Sequence, residues 1–126
     1  MDADPITGAR LPDTDTAALD RLKRFGGGKL LREMIALFLA AAPERIDAAR
    51  SAGSRGDASA VEAALHSLKS SSAQLGAMRM QRLSEVGEHR ARGGSVEELP
   101  HLVSELDQEF ARVREWLTRA RDEGVT

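Results

Sequence analysis

One histidine in this chain has neighbours that suit it for chemistry. His66 lies in the stretch from Ala63 to Ala77, which reads AALHSLKSSSAQLGA. On a helix of about 100° per residue, the apolar side chains of this stretch form one stripe, and His66 lies almost opposite its centre. Lys69 and Ser70 lie one turn further on, near the same face. An accessible imidazole beside an ammonium group and small side chains is typical of a histidine that another protein reaches and that holds an anion.

The composition excludes several classes of protein. The 126 residues include no cysteine, which excludes thiol redox chemistry and disulfide frameworks. A formal net charge of −2 argues against a nucleic-acid binder, and 3% aromatic residues are too few for base stacking. No apolar run approaches the roughly 20 residues that span a bilayer, and the acidic N-terminus does not resemble a signal peptide. We expect a single-domain, monomeric cytoplasmic protein that binds neither nucleic acid nor membrane.

The first fourteen residues differ in character from the rest of the chain. They are mostly polar, and Pro5, Gly8 and Pro12 interrupt them. This pattern predicts a flexible N-terminal arm over residues 1–14, followed by a helical domain over residues 15–122.

Apolar residues at helical spacing predict an all-α fold. A short helix ends at the three glycines 26–28, and a longer apolar-periodic run covers residues 29–52. Pro43 inside that run removes one helical hydrogen bond and predicts a bend near Leu39. Asp57 caps the histidine helix, and two further amphipathic helices follow. The expected architecture is an antiparallel four-helix bundle with a short additional N-terminal helix.

The histidine helix also carries a family resemblance. Residues 66–77 read HSLKSSSAQLGA, which resembles the signature of histidine-containing phosphotransfer (HPt) domains of two-component phosphorelays, roughly His-x-Leu-Lys-Gly-Ser-Ser-x-x-Leu-Gly-Ala. The run LLREMIALFL over residues 30–39, ending at Pro43, resembles the second helix of that family. Gly56 and Asp57 resemble its entry to the histidine helix. The likeness covers about residues 15 to 120, nearly the whole chain.

The resemblance implies a role for each site residue. His66 would accept a phosphoryl group from an aspartate in the receiver domain of a hybrid histidine kinase and pass it to the receiver domain of a response regulator. Lys69 would offset the phosphoryl charge, and Ser70 would border the phosphoryl site. The magnesium ion would belong to the receiver, so no cofactor or metal is expected in this chain. The protein would be a phosphoryl carrier and not an enzyme with ATP-dependent autokinase activity.

The residue types agree with this chemistry. Phosphoryl transfer through a loose transition state asks mainly for in-line positioning and for stabilisation of charge. Neutral imidazole, the main form of free histidine at pH 7, is a competent nucleophile and needs no activating base when it is exposed. Two positions depart from the family pattern. Ser70 replaces the usual glycine, which affects access of a receiver, and Gly87 replaces a leucine, which affects local packing.

Other interpretations compete with phosphotransfer. Most exposed histidines are simply solvated, and His89 and His101 are interpreted in that way. Glu62 and His66, like Glu85 and His89, lie four residues apart and suggest a metal-binding bundle, but these pairs do not have the Glu-x-x-His spacing of di-iron bundles. A histidine kinase fragment would need a glycine-rich ATP-binding segment, which the sequence also lacks. The main alternative is a helical interaction module that binds receiver domains without phosphotransfer.

Overall fold

The part of the chain that the computed structural model describes, residues 3–8 and 12–123, is mostly helical and contains no strand beyond one isolated bridge. Its helices are α1 (Thr16–Ser54), α2 (Ala58–Gln74), α3 (Met78–Arg92) and α4 (Leu99–Glu123). Short connections join successive helices, and α1 also packs on α4, which closes the bundle. This confirms the predicted all-α helical bundle.

The predicted short N-terminal helix is the first part of α1. Gly27 interrupts the helical backbone with φ 74° and ψ −175°, so residues 16–26 precede the main part of the helix. Glycine adopts this left-handed φ without steric cost, which explains why the interruption falls within the glycines 26–28. By contrast, the backbone dihedrals remain helical through Pro43. Any bend near Leu39 therefore involves no departure from helical dihedrals.

The core is built from the apolar stripes of all four helices. Its largest fully buried apolar side chains are Leu19, Ile35, Ile46, Leu65, Leu68, Leu75, Met80, Leu83, Leu102, Leu106 and Leu117. Burial of one such side chain is worth about 1.5 to 3 kcal/mol. Because Leu65 and Leu68 fix the inward face of α2, the rotation of that helix about its axis is determined. The opposite face of α2 is thereby directed to solvent.

Gly87, one of the two departures from the family pattern, has a clear packing role. A Cβ atom at this position would lie 2.3 Å from Cδ2 of Leu102 and 2.5 Å from Cδ1 of Leu65. The two leucines therefore occupy the space that a side chain would need. The absence of a side chain lets α3 approach α2 closely at the level of Leu65, the neighbour of His66.

The predicted arm over residues 1–14 makes defined contacts where it is described. Thr14 forms the isolated bridge with Ala77, and the N–H of Asp15 donates to the carbonyl of Gly76 over 2.9 Å. Asp4 pairs with Arg79 at the start of α3. The flexibility of the arm and the division at residue 14 remain predictions. Across residues 3–8 and 12–123, no helix is long and apolar enough to cross a membrane.

Candidate functional site

His66 lies on the solvent-facing side of α2, as the helical pattern predicts. Its side chain is 63% exposed, whereas the neighbouring Leu65 and the nearby Leu68 are fully buried. The imidazole is therefore accessible to another protein while its backbone is fixed by the core. A rigid helix is a good support for a reacting group, because transfer depends on accurate placement of the reacting atoms.

A buried carboxylate on α3 holds the imidazole. Nδ1 of His66 lies 2.8 Å from Oε1 of Glu88, and the Glu88 side chain is only 3% exposed. Nζ of Lys69 lies 2.8 Å from the other oxygen, Oε2, and forms an ion pair with it. Nη2 of Arg92 donates to Oε1 over 2.9 Å. The carboxylate of Glu88 thus contacts an imidazole, an ammonium and a guanidinium group.

These contacts keep Glu88 ionised. Burial by itself raises the pKa of this carboxyl group, but the contacts with Lys69 and His66 outweigh burial, and the pKa of Glu88 lies below its ordinary value. An ionised carboxylate can only accept hydrogen bonds. Nδ1 of His66 must therefore carry the proton in the contact with Glu88. In the neutral ring this leaves the lone pair on Nε2, the nitrogen directed away from the carboxylate.

A shallow depression beside the imidazole gives room for an approaching group. It is lined by Ser59, Glu62, Ala63, His66, Glu88 and Arg92. Nε of Arg92 lies 3.3 Å from Oε1 of Glu62, so the guanidinium group bridges the carboxylates of Glu62 and Glu88. The small side chains of Ser59 and Ala63 leave this side of His66 open.

The remaining predicted residues fall into two groups. Ser70 is exposed next to His66 on the helix, and its hydroxyl group donates to the backbone carbonyl of His66 over 3.2 Å. The serine is therefore bonded to the helix backbone in this structure. His89 and His101 are exposed, as expected for surface residues. Within the described ranges, no group of three or more acidic or histidine side chains is arranged to hold a metal ion.

Sequence reasoning did not identify Glu88. The residue lies 22 positions from His66, too far for any helical spacing rule to connect the two. A signal was nevertheless present, because Glu88 lies one turn after Ser84, at the edge of the buried face of α3 that includes Leu83 and Gly87. A carboxylate on a core-facing stripe needs cationic or hydrogen-bonding partners. Its partners here come mainly from α2.

Comparison with known proteins gives a consistent result. A family model described as "Hpt domain" matches residues 33–116, whereas no curated protein matches the chain significantly in sequence. The structure is similar to the crystal structure of histidine-containing phosphotransfer protein B (HptB) from Pseudomonas aeruginosa PAO1, with a TM-score of 0.84 and 27% identity over 89% of this chain and 96% of that one. It is also similar to the HPT domain from the Hpt sensor hybrid histidine kinase of Shewanella, with a TM-score of 0.73 and 20% identity over 88% of this chain and 95% of that one. The second likeness concerns the fold alone.

The lowered pKa of Glu88 predicts a pH-dependent contribution to stability. An unperturbed glutamate titrates at 4.5. Because the folded value is lower, the contribution of Glu88 to the free energy of unfolding is complete above that pH and is lost as the pH falls through the folded pKa. In the Glu88→Gln variant, the side chain at position 88 is an amide and does not titrate. We therefore expect wild type to be more stable than Glu88→Gln at about pH 6, with the difference shrinking towards about pH 3 in urea titrations.

The matched control is Glu33→Gln. Glu33 is an exposed carboxylate whose Oε1 lies 3.9 Å from Nζ of Lys29. Such a pair contributes little, so its difference from wild type should remain small across the same pH range. A stability difference for Glu88→Gln that does not change with pH would contradict the ionised, paired carboxylate.

Proposed function

This chain belongs to the Hpt domain family and is a phosphorelay intermediate, and we propose that His66 is the residue that carries its phosphoryl group. Hpt domains are phosphotransfer carriers that interact with receiver domains of two-component systems. The observation that carries the proposal is the contact between Nδ1 of His66 and the buried Glu88. It leaves Nε2 of an exposed imidazole as the nucleophile.

The transfer step follows from this arrangement. The lone pair of Nε2 attacks the phosphorus of an aspartyl phosphate on a receiver domain. The Nε2–P bond forms as the P–O bond breaks, and the receiver aspartate leaves as a carboxylate. Because Nδ1 keeps its proton, the phosphorylated ring carries a positive charge. Oε1 of Glu88 lies 2.8 Å from Nδ1 and stabilises the charge as it develops, in the way that a buried carboxylate supports a catalytic imidazole. Transfer to a second receiver is the reverse sequence.

The cations around Glu88 suit the product state. A phosphoryl group brings about two negative charges at neutral pH. Lys69 and Arg92 both contact Glu88, and Lys69 lies one turn from His66 on the same helix. Their side chains are long enough to share their charge between Glu88 and a phosphoryl group on His66. We assign Lys69 the main part of this role, since it lies one turn from His66 on the same helix.

The remaining requirements are assigned to the partner. The receiver would supply the magnesium ion and the acidic pocket that stabilise the phosphoryl group during transfer. This chain would provide the nucleophile and the groups that stabilise the charge on it. The donor would be the receiver of a hybrid histidine kinase and the acceptor that of a response regulator. The carrier would act as a monomer without ATP-dependent autokinase activity. Ser59 and Ala63 border the side from which a receiver would approach.

Phosphorylation of the purified chain tests the assignment of His66. A receiver domain charged with acetyl phosphate should label wild type, and ATP alone should not. The label should be acid-labile and alkali-stable, as expected for a phosphoramidate. His66→Gln should abolish labelling and leave the helical circular dichroism unchanged, because the side chain is mostly exposed.

The matched control for this experiment is His89→Gln, an exposed histidine on α3, which should be labelled like wild type. Labelling of His66→Gln, or a label found on His89 or His101, would contradict the assignment of His66 as the phosphorylated residue. Receiver binding without any labelling of wild type would instead support the interaction module that does not transfer phosphate.

Lys69 should affect the rate and not the occurrence of transfer. One partly exposed charge contact is worth on the order of 1 kcal/mol, so Lys69→Ala should slow transfer and shorten the lifetime of the phosphohistidine several-fold. Lys29→Ala is the control, because Lys29 is exposed and contacts only Glu33 among the ion pairs of the described residues. The measurement is the decay of isolated phosphoprotein. Equal phosphohistidine lifetimes for the two variants would contradict a role of Lys69 in stabilising the phosphoryl group.

A further inference from the structure

The guanidinium group of Arg92 bridges two carboxylates beside His66. Its Nη2 donates to Oε1 of Glu88 over 2.9 Å, and its Nε donates to Oε1 of Glu62 over 3.3 Å. Arg92 is the last residue of α3, whereas Glu62 lies on α2, one turn before His66. The bridge between Arg92 and Glu62 therefore crosses the rim of the depression that both residues line together with the imidazole.

A phosphoryl group on Nε2 of His66 would lie next to this bridge. Side chains of an α-helix lean towards its N-terminus, so the imidazole is directed towards the turn that carries Glu62 and Ala63. These two residues line the same depression as the imidazole, in agreement with that direction. Glu88 occupies Nδ1, which leaves Nε2 on the open side of the ring. An added phosphoryl group would therefore have Glu62 and Arg92 as neighbours.

Phosphorylation changes the charge balance to which the bridge belongs. Before phosphorylation, the carboxylates of Glu62 and Glu88 are paired with the cations of Lys69 and Arg92. A phosphoryl group adds about two negative charges, and the ring that retains its Nδ1 proton adds one positive charge. Glu88 is engaged with that ring. The carboxylate of Glu62 instead competes with the phosphoryl oxygens for Arg92.

A guanidinium group released from Glu62 would bind the phosphoryl group strongly, because arginine can donate two parallel hydrogen bonds to phosphate oxygens. Such binding stabilises the phosphohistidine itself, which raises the barrier to the next transfer. We propose that Glu62 is a positioning residue that holds Arg92 at the rim of the site, away from the phosphoryl group, and thereby limits the stability of the phosphohistidine. This inference rests on the proposed function of His66, whose phosphoryl group has to leave as well as arrive.

The strength of the bridge suits this role. The side chains of Glu62 and Arg92 are 34% and 60% exposed, so their ion pair is partly solvated and can exchange partners. The contact of Arg92 with Glu88 is shorter, and Glu88 is buried. Arg92 therefore stays near the site through Glu88, while Glu62 sets the direction of its guanidinium group. Because the pair is partly solvated, loss of Glu62 should change the lifetime of the phosphohistidine several-fold.

The lifetime of the phosphohistidine tests the role of Glu62. The small-molecule donor phosphoramidate phosphorylates the full chain without a receiver: the Nε2–P bond forms as the P–N bond of the donor breaks, and ammonia leaves. The label on His66 is identified by its absence from His66→Gln. Glu62→Gln keeps the size of the side chain and removes its charge, so we expect the isolated phosphoprotein to decay about threefold more slowly than wild type. Glu33→Gln is the matched control, an exposed carboxylate that pairs with Lys29 on another helix, and its lifetime should equal that of wild type.

A double variant separates the holding of Arg92 from simple repulsion. Arg92→Gln removes the group that Glu62 holds, so Glu62→Gln should not change the lifetime further in that background. A lengthening of the same size in both backgrounds would mean that Glu62 repels the phosphoryl group directly, and it would overturn the proposal. An unchanged or shortened lifetime for Glu62→Gln alone would overturn it as well.

A second arm needs no phosphoryl group. In ¹⁵N–¹H NMR spectra of the unphosphorylated protein, the Nε–H group of Arg92 should exchange its hydrogen with water several-fold faster in Glu62→Gln than in wild type or Glu33→Gln, because this N–H donates to Glu62. Equal exchange rates in all three proteins would overturn the proposal. If phosphoramidate labelled His66 and charged receiver domains did not, the proposed function would be wrong, while the lifetimes would still decide the role of Glu62.

Discussion

The buried carboxylate of Glu88 is the constraint on which the site depends. A carboxylate taken out of water carries a desolvation penalty of several kcal/mol unless it is paired and hydrogen-bonded. Here the pairing comes from His66, Lys69 and Arg92 at 2.8 to 2.9 Å. Burial of the carboxylate therefore favours conformations in which these three groups remain in contact with it. The imidazole of His66 remains exposed, while its contact with the buried Glu88 determines its orientation.

The packing of the bundle makes this contact possible. Glu88 reaches His66 because α3 lies close to α2, and Gly87 provides the space that Leu65 and Leu102 fill. His66, its buried partner Glu88 and the glycine thus form one unit across two helices. The arm contributes from the other side, where Asp4 and Arg79 fix the start of α3. The packing that stabilises the core therefore also sets the geometry of the site.

Much of this could be predicted from the sequence, for a physical reason. Helix periodicity and caps are local, so the helices and the outward placement of His66 and Lys69 follow from residues within a few turns. Glu88 was missed because its contact with His66 depends on how α3 packs against α2, which no local pattern contains. The hydroxyl of Ser70 bonds to the carbonyl of His66, a choice of side-chain conformation that composition cannot give. The contact of Asp4 with Arg79 is likewise non-local, since its partners lie 75 positions apart along the chain.

The central claim is that Glu88 fixes the proton of His66 on Nδ1 and leaves Nε2 to react. The most direct measurement is the long-range ¹⁵N–¹H NMR spectrum of the histidine side chains at about pH 8, where free imidazole is neutral. Its cross-peaks distinguish the two neutral tautomers. The geometry predicts a protonated Nδ1 and an unprotonated Nε2 for His66. A protonated Nε2 with a free Nδ1 would contradict the role of Glu88.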